Sequence, residues 1–253
     1  MMLIALLLAA SLAGAEASPT ITAERPASHL VSAESLPDGF EILDRCVDAI
    51  GGEKAYRKHK SEKMSGSLSI PAVGVEGTIV VRRQATTKTL VTINLAGLGE
   101  VVQGTNGEVA WSSEAGQPAK LLSGPQANSM INEANFYGPV EPRKTYTKAT
   151  LVDTVEFDGV ECYKLELVTS WGAHQVGLFE VESGLHRKTS TRASADSDLF
   201  TTETTYSDYR KVRGVKRPHK LTVNAMGIEQ VIKFDEIEFG AKFDKDLFTP
   251  PSR

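Results

Sequence analysis

The sequence has few of the residues that build metal sites and no long apolar segment. Its 253 residues contain only two cysteines, Cys46 and Cys162. Two cysteines are too few for a zinc site, because no pair of histidines stands at ligand spacing from either of them. No apolar run reaches the roughly 20 residues that a membrane-spanning helix needs. The sequence therefore predicts neither a structural metal site nor a transmembrane segment.

The settings of the two cysteines differ. Cys46 lies in the apolar stripe of a predicted helix, whereas Cys162 alternates with Lys164 and Glu166 on the polar side of a predicted strand. An oxidising compartment would permit a disulfide. The mismatch favours two free thiols, but spacing alone leaves both arrangements open.

Motifs of enzyme chemistry are also missing. The sequence has no G-x-S-x-G, H-E-x-x-H, phosphate-binding loop or C-x-x-C. The acidic pairs Asp196/Asp198 and Asp244/Asp246 lack the glycine and closing glutamate of a calcium loop. No histidine has a partner at motif spacing, so we predict that each is a surface residue: His29, His59, His174, His186 and His219. These absences predict no catalytic residues, metal ion or cofactor, although carboxylates paired only by the fold stay open.

The formal charge of −4 argues against nucleic acid as a partner. One basic cluster lies on both sides of a predicted turn at Gly214. It consists of Arg210, Lys211, Arg213, Lys216, Arg217, His219 and Lys220. The cluster is typical of a solvated hairpin end that discourages edge pairing through its lysines. The alternative is a docking patch for an anionic partner, either an acidic protein or anionic lipid headgroups.

Residues 1–17 have the features of a signal peptide. A short apolar stretch is followed by an A-x-A cleavage pattern that ends at Ala17. No Lys or Arg precedes the apolar stretch, so a buried N-terminal helix is the alternative. Residues 18–37 are rich in Ser, Ala, Pro and Glu and predict a flexible leader. We therefore expect an exported protein, periplasmic or extracellular, with a single β domain over residues 38–253.

Helical signals are few. Asp38 is a candidate cap for a helix over 40–50, whose apolar stripe consists of Phe40, Leu43, Val47 and Ile50. The Gly-Gly pair at 51–52 ends this helix, and a second helical piece follows over 53–58. Residues 124–137 are not strand-like and predict a short helix with Met130, Ile131, Ala134 and Phe136 on one side.

From about Lys63 onward the apolar residues recur with a period of two. Turn signals punctuate these segments, at Asn106-Gly107, Asp158-Gly159, Ser183-Gly184, Arg213-Gly214 and Met226-Gly227. The pattern predicts about 11–12 strands, each with one wet and one dry face. We expect a mostly β protein: a strongly curved antiparallel sheet, an unclosed β-barrel, covered by a few short helices.

The order of short motifs resembles the outer-membrane lipoprotein-sorting (LolA/LolB-like) superfamily, and in particular its uncharacterised periplasmic relatives. The resemblance covers about residues 40–251. It rests on ILDRCVDAIGG (42–52), SEKMSGSLSI (61–70), LAGLGEVVQGTNGEVAW (95–111), VEFDGVECYKLEL (155–167), LFEVESGLHRK (178–188), DYRKVRGVKRPHKL (208–221) and IKFDEIEFG…FDKDLFTPP (232–251).

This resemblance implies an unclosed barrel capped by helices over an apolar cavity. Members of the superfamily carry acyl chains or sense lipidated or misfolded envelope proteins, and they bind without catalytic residues. The basic hairpin at 210–220 departs from the general pattern, and no gating residue can be matched in this sequence.

The alternating apolar positions also predict which residues line such a cavity. The candidates are Val91, Ile93, Leu95, Trp111, Leu165, Leu167, Ile232 and Phe234 on the sheet, with Met130 and Phe136 on the covering segment. The same residues could instead form a filled core. Three functions stay open: a carrier or sensor of a hydrophobic ligand or lipidated protein, a non-catalytic envelope module with a filled core, and an enzyme whose site is scattered over strands.

Overall fold

The computed structural model describes residues 37–192 and 200–251. The predicted signal peptide, the predicted leader up to residue 36, and His29 lie outside the described residues. So does the acidic pair Asp196/Asp198.

Thirteen strands form one antiparallel sheet. The first six are β1 (Ser61–Ile70), β2 (Val75–Gln84), β3 (Lys88–Leu95), β4 (Gly99–Thr105), β5 (Ala110–Ser113) and β6 (Lys120–Leu121). The other seven are β7 (Tyr146–Phe157), β8 (Val160–Thr169), β9 (His174–Glu180), β10 (His186–Arg192), β11 (Phe200–Val212), β12 (Val215–Ala225) and β13 (Ile228–Phe239).

The strand order is β6-β5-β4-β3-β2-β1-β13-β12-β11-β10-β9-β8-β7. The chain therefore starts at the centre of the sheet, runs outward to β6, crosses to the far edge and returns to the centre. Strands β6 and β7 form the two edges and do not pair with each other in the described part of the chain, so the sheet is not closed into a barrel. This confirms the predicted fold class. The sheet has more strands than the 11–12 predicted, and two of them, β5 and β6, are only four and two residues long.

Four short helices accompany the sheet in the described ranges: α1 (Gly39–Ala49), α2 (Glu53–Tyr56), α3 (Gly124–Glu133) and α4 (Pro142–Thr145). Single 3-10 turns cover Pro71–Val73 and Gly138–Val140. Helices α3 and α4 belong to the connection from β6 to β7, which we call the cover segment (residues 122–145).

Helix α1 begins and ends where its sequence predicts. The Asp38 side chain accepts a hydrogen bond from the Phe40 amide, and Glu41 completes the capping box. At the other end the amide of Gly52 donates to the Val47 carbonyl, which gives the helix a Schellman-type end. Both glycines at 51–52 have positive φ, as that geometry requires.

A bulge between β1 and β13 changes which alternate residues of β13 point inward. The register shifts at Ser65/Gly66. The inward residues of β13 are therefore Ile232 and Phe234 on one side of the shift and Ile237 and Phe239 on the other. This shift keeps apolar side chains on one face along the whole strand.

Candidate functional site

A cavity of about 200 Å³ lies between the helices and the sheet. Helix α1 contributes Leu43, Cys46 and Ile50 to its wall, and the cover segment contributes residues from Asn132 to Thr145. Strands β9 to β12 supply most of the opposite wall. This space lies under the helices of the described structure.

None of the ten predicted lining residues borders this cavity. All ten are buried, nine of them in packed clusters. Five of them fill the central core of the sheet: Val91, Ile93, Leu95, Ile232 and Phe234. The others pack elsewhere: Leu165 and Leu167 beneath α1, Phe136 against Tyr56 and Phe239, and Trp111 against Leu90 and Phe248, while Met130 is buried in α3. Ligand contact by these ten residues stays a prediction.

The sheet wall of the cavity is polar rather than apolar. It carries Gln175, His186, Thr189, Tyr206 and Tyr209. Burial raises the pKa of Tyr206 to about 12 and raises the pKa of Tyr209 well above its usual value. These hydroxyls are therefore neutral near pH 7 and can take part only as hydrogen-bonding groups.

His186 is held in this wall by two ring contacts and a backbone hydrogen bond. Its ring stacks on Phe179 and tilts against Tyr206, with centroids 4.5 Å and 4.7 Å away. Its Nε2 lies 2.9 Å from the Lys188 carbonyl oxygen. A carbonyl oxygen only accepts, so Nε2 carries the proton. Burial lowers the pKa of His186 to about 4, which makes the imidazole a weak base.

Cys46 faces the cavity beside the backbone of His186. Burial raises the pKa of its thiol to about 12, and the backbone contact only partly offsets this. A thiol with so high a pKa is a poor nucleophile near pH 7. The cavity therefore holds groups that can bind a ligand but lacks an activated Cys–His pair.

Both cysteines are free, which confirms the favoured prediction. Cys162 lies on the predicted polar side of β8, in phase with Lys164 and Glu166, but it is fully buried there. It pairs with Glu180 across β8 and β9, and the ion pair of Glu180 with Arg187 lies on the same side. The polar face of the strand is therefore covered at this point by charged side chains.

Beside the cavity lies a cluster of three buried charged residues. Glu62 is 0% exposed, Arg83 is 5% exposed and Arg217 is 4% exposed. The Nε atom of Arg217 lies 2.8 Å from one carboxylate oxygen of Glu62, and its Nη2 donates to the other oxygen at 3.1 Å. The Nη1 atom of Arg83 lies 3.7 Å from the same carboxylate. Both arginines line the cavity.

The electrostatics of the cluster favour the charged form of Arg217. Burial alone lowers the pKa of Arg217, but the Glu62 carboxylate outweighs it and leaves that pKa above its usual value. Tyr56, which is fully buried next to the cluster, has its pKa raised by burial, although the two nearby arginines oppose the shift.

The strand alternation in the sequence contains a signal for this cluster. Each charged residue is in phase with the buried residues of its own strand: Glu62 with Met64 and Leu68, Arg83 with Ile79 and Val81, and Arg217 with Val215 and Leu221. An ionisable side chain at an inward position of a strand must be buried and paired.

The basic hairpin is therefore only partly solvated. Arg217 and His219 are buried, and Arg210 pairs with Asp208. Lys211, Arg213, Lys216 and Lys220 are exposed. The prediction of surface histidines is wrong for His219, which is in phase with Leu221, and for His186, which packs between two rings.

Comparison with known structures identifies the fold. A DUF1329 family protein from Desulfovibrio piger superposes with a TM-score of 0.59 and 14% identity, over 84% of this chain and 98% of that chain. A LolA superfamily protein from Nitrosomonas europaea gives a TM-score of 0.57 and 17% identity, over 85% and 98%. The chain has the LolA-like fold.

A third LolA-like structure is a putative outer membrane lipoprotein-sorting protein domain from Vibrio parahaemolyticus, with a TM-score of 0.57, 12% identity, and 83% and 96% coverage. At the level of sequence, no family model and no curated protein matches this chain. Among the described residues, no helix is both long and apolar enough to cross a bilayer. The LolA-like fold confirms the resemblance on which the sequence prediction rests.

Proposed function

We propose that this protein is an exported, periplasmic carrier or sensor that holds a hydrophobic ligand, an acyl chain or a lipidated protein, in the cavity under α1 and the cover segment. The cavity itself carries this proposal, since it lies between the helices and the sheet of a LolA-like fold. The lipoprotein-sorting description of the Vibrio structure supports the same class of ligand.

Physical chemistry supports binding without a specific motif. Each methylene moved out of water contributes about 0.8 kcal/mol. The cavity volume of about 200 Å³ exceeds that of an engineered apolar cavity of about 150 Å³ that binds benzene. The cavity therefore accommodates a short acyl segment, and a longer chain requires α1 or the cover segment to move away from the sheet.

A second candidate is a non-catalytic envelope module with a filled core. It is favoured by the burial of all ten predicted lining residues away from the cavity. The two functions differ in whether the cavity under α1 takes up a ligand.

Three phenylalanine substitutions compare the cavity with the core. Cys46→Phe fills the cavity and is expected to weaken binding of a fluorescent fatty acid about tenfold or more. Asp48→Phe, on the exposed side of α1, is the matched control and should leave binding unchanged. Leu165→Phe overpacks the core beneath α1 and should cost about 1–3 kcal/mol in urea unfolding. A wild-type protein that binds no probe, and that retains no lipid in native mass spectrometry, would favour the envelope module.

Export makes a separate prediction. Cleavage after Ala17 gives a mature chain that begins at Ser18. Amino-terminal sequencing of protein recovered from the periplasmic fraction checks this. A mature chain that still begins at Met1 would contradict the signal peptide, and absence of the protein from the periplasmic fraction would contradict the periplasmic location.

A further inference from the structure

The cavity wall contains more buried positive than negative charge. Arg83 and Arg217 both border the cavity, but among the described residues Glu62 is the only carboxylate buried between them. A guanidinium does not lose its proton in proteins, so the three side chains carry a net charge of about +1 when Glu62 is ionised. Charges interact more strongly here than in water, because the site is buried.

Arg217 and Arg83 use the shared carboxylate differently. Arg217 engages both oxygens of Glu62, at 2.8 Å and 3.1 Å. Arg83 stays 3.7 Å away and donates its one hydrogen bond, from Nη2, to the Asn135 carbonyl oxygen at 3.0 Å. Glu62 is thus committed to Arg217, and Arg83 is left with unused capacity.

Three buried donors at this place make no hydrogen bond in the described structure: Nη1 of Arg83, Nε of Arg217 and the Tyr56 hydroxyl. Nε of Arg217 is 2.8 Å from the Glu62 carboxylate as part of their ion pair, and Tyr56 does not border the cavity. Nη1 of Arg83 is on a side chain that is 95% buried and lines the cavity. Buried donors are normally paired, because an unpaired one costs free energy. The open Nη1 of Arg83, which lines the cavity, points to an acceptor supplied by a ligand.

The other charged residues around the cavity leave the end beside the two arginines positively charged. Lys216, which is exposed, borders the cavity next to Arg217 and adds a further positive charge. Glu133, at the end of α3, is the acidic residue of the lining, and it is only half-buried. Glu133 is thus better solvated than the two arginines.

The two ends of the cavity differ in chemistry. Arg83 lies near the end of β2 and Arg217 near the start of β12, at the same rim of the sheet. Trp171, in the turn between β8 and β9, borders the cavity from the opposite rim. A molecule lying along the strands would thus have one end at two guanidinium groups and the other end at an aromatic ring.

We propose that the end of the cavity beside Arg83 binds the anionic head of the ligand, a carboxylate or a phosphate monoester. The ligand is then an anionic amphiphile and not a neutral lipid. The inference rests on the proposed carrier function and narrows its ligand class. Arg83 is the anchor, because a guanidinium pairs with carboxylate or phosphate oxygens through charge-assisted hydrogen bonds.

The test compares a fluorescent fatty acid with its methyl ester, which has the same chain but no charge. Wild-type protein is expected to bind the acid about tenfold more tightly than the ester at pH 7. Arg83→Gln should remove this preference by weakening the acid alone, and Arg83→Lys should retain part of it. Glu62 keeps its ion pair and its hydrogen bond with Arg217 in both variants, so the core should stay folded.

Arg82→Gln is the matched control. Arg82 is the neighbouring residue on β2, points to the other face, donates to Thr92 and does not border the cavity. It should leave both affinities unchanged. Inorganic phosphate and acetate, added as competitors, distinguish a free anion from the head of a lipid.

The possible outcomes distinguish a failure of the anionic-head proposal from a failure of the carrier proposal. Equal binding of acid and ester by the wild type would overturn the anionic head and leave the carrier intact. A preference that survives in Arg83→Gln would overturn the role of Arg83. Displacement of the acid by millimolar phosphate or acetate alone would show a site for free anions and overturn the amphiphile. Binding of neither probe would contradict the carrier function itself.

Discussion

Replacing Glu62 by glutamine is expected to lower the free energy of unfolding by about 3–5 kcal/mol. The substitution keeps the size of the side chain but removes the only buried carboxylate of the cluster. Arg217 then loses its charge partner at 2.8 Å, and Arg83 loses its partner at 3.7 Å. Two buried guanidinium groups without a counter-ion cost more than the lost contacts, because neither can neutralise itself.

Urea unfolding followed by circular dichroism measures this loss. Glu236→Gln is the matched control, since Glu236 is exposed on β13 opposite Ser65 and should change stability by less than about 0.5 kcal/mol. Adding Arg217→Met to Glu62→Gln should recover part of the loss, because it removes one of the two uncompensated charges. A Glu62→Gln protein as stable as the wild type would mean that the arginines reach solvent.

The two tryptophans of the chain are expected to have opposite effects. Trp111→Ala should cost about 3–5 kcal/mol of stability, because the indole is buried among Leu90, Phe248 and the backbone of Gly104. Its Nε1 makes no hydrogen bond in the described structure, so the loss is one of packing. Trp171→Ala should change stability much less, because Trp171 is half-buried in a turn, but it should weaken binding of the fatty-acid probe.

Fluorescence reads out both effects, since the chain has only two tryptophans. Trp111→Phe leaves Trp171 as the sole emitter, and its spectrum should shift when the probe binds. Trp171→Phe leaves Trp111 as the sole emitter, and its emission should change on unfolding but not when the probe binds. A ligand response from Trp111 with none from Trp171 would place the ligand beside Trp111, which is one of the lining residues predicted from alternation.

The sequence was sufficient for the elements of this fold. Asp38, the apolar stripe and the Gly-Gly pair at 51–52 fixed α1, because caps and helix periodicity act over a few residues. Period-two alternation fixed most strands and their inward faces, including Val91 and Ile93. Such local patterns depend little on partners distant in the chain.

The cavity could not be predicted in the same way. Apolar side chains at inward positions pack against one another, so they fill space instead of leaving it. The open space lies where inward positions are polar, as at Gln175, Thr189 and Tyr206, and where α1 and the cover segment lie across them. Which polar positions meet depends on the order of the strands, and alternation within one strand carries no information about that order.

The pairing of β1 with β13 also constrains the order in which the strands of the sheet can pair during synthesis. These strands are central neighbours, yet more than half of the sequence separates them, and every other neighbouring pair is consecutive along the chain. Two meanders, β1 to β6 and β7 to β13, can therefore form from local hairpins, but they stay unjoined until residues 228–239 are available. During synthesis, one edge of β1 therefore stays unpaired until nearly the whole chain has been made. A ribosome stalled before residue 228 would leave a product in which this unpaired edge of β1 is exposed and prone to aggregate.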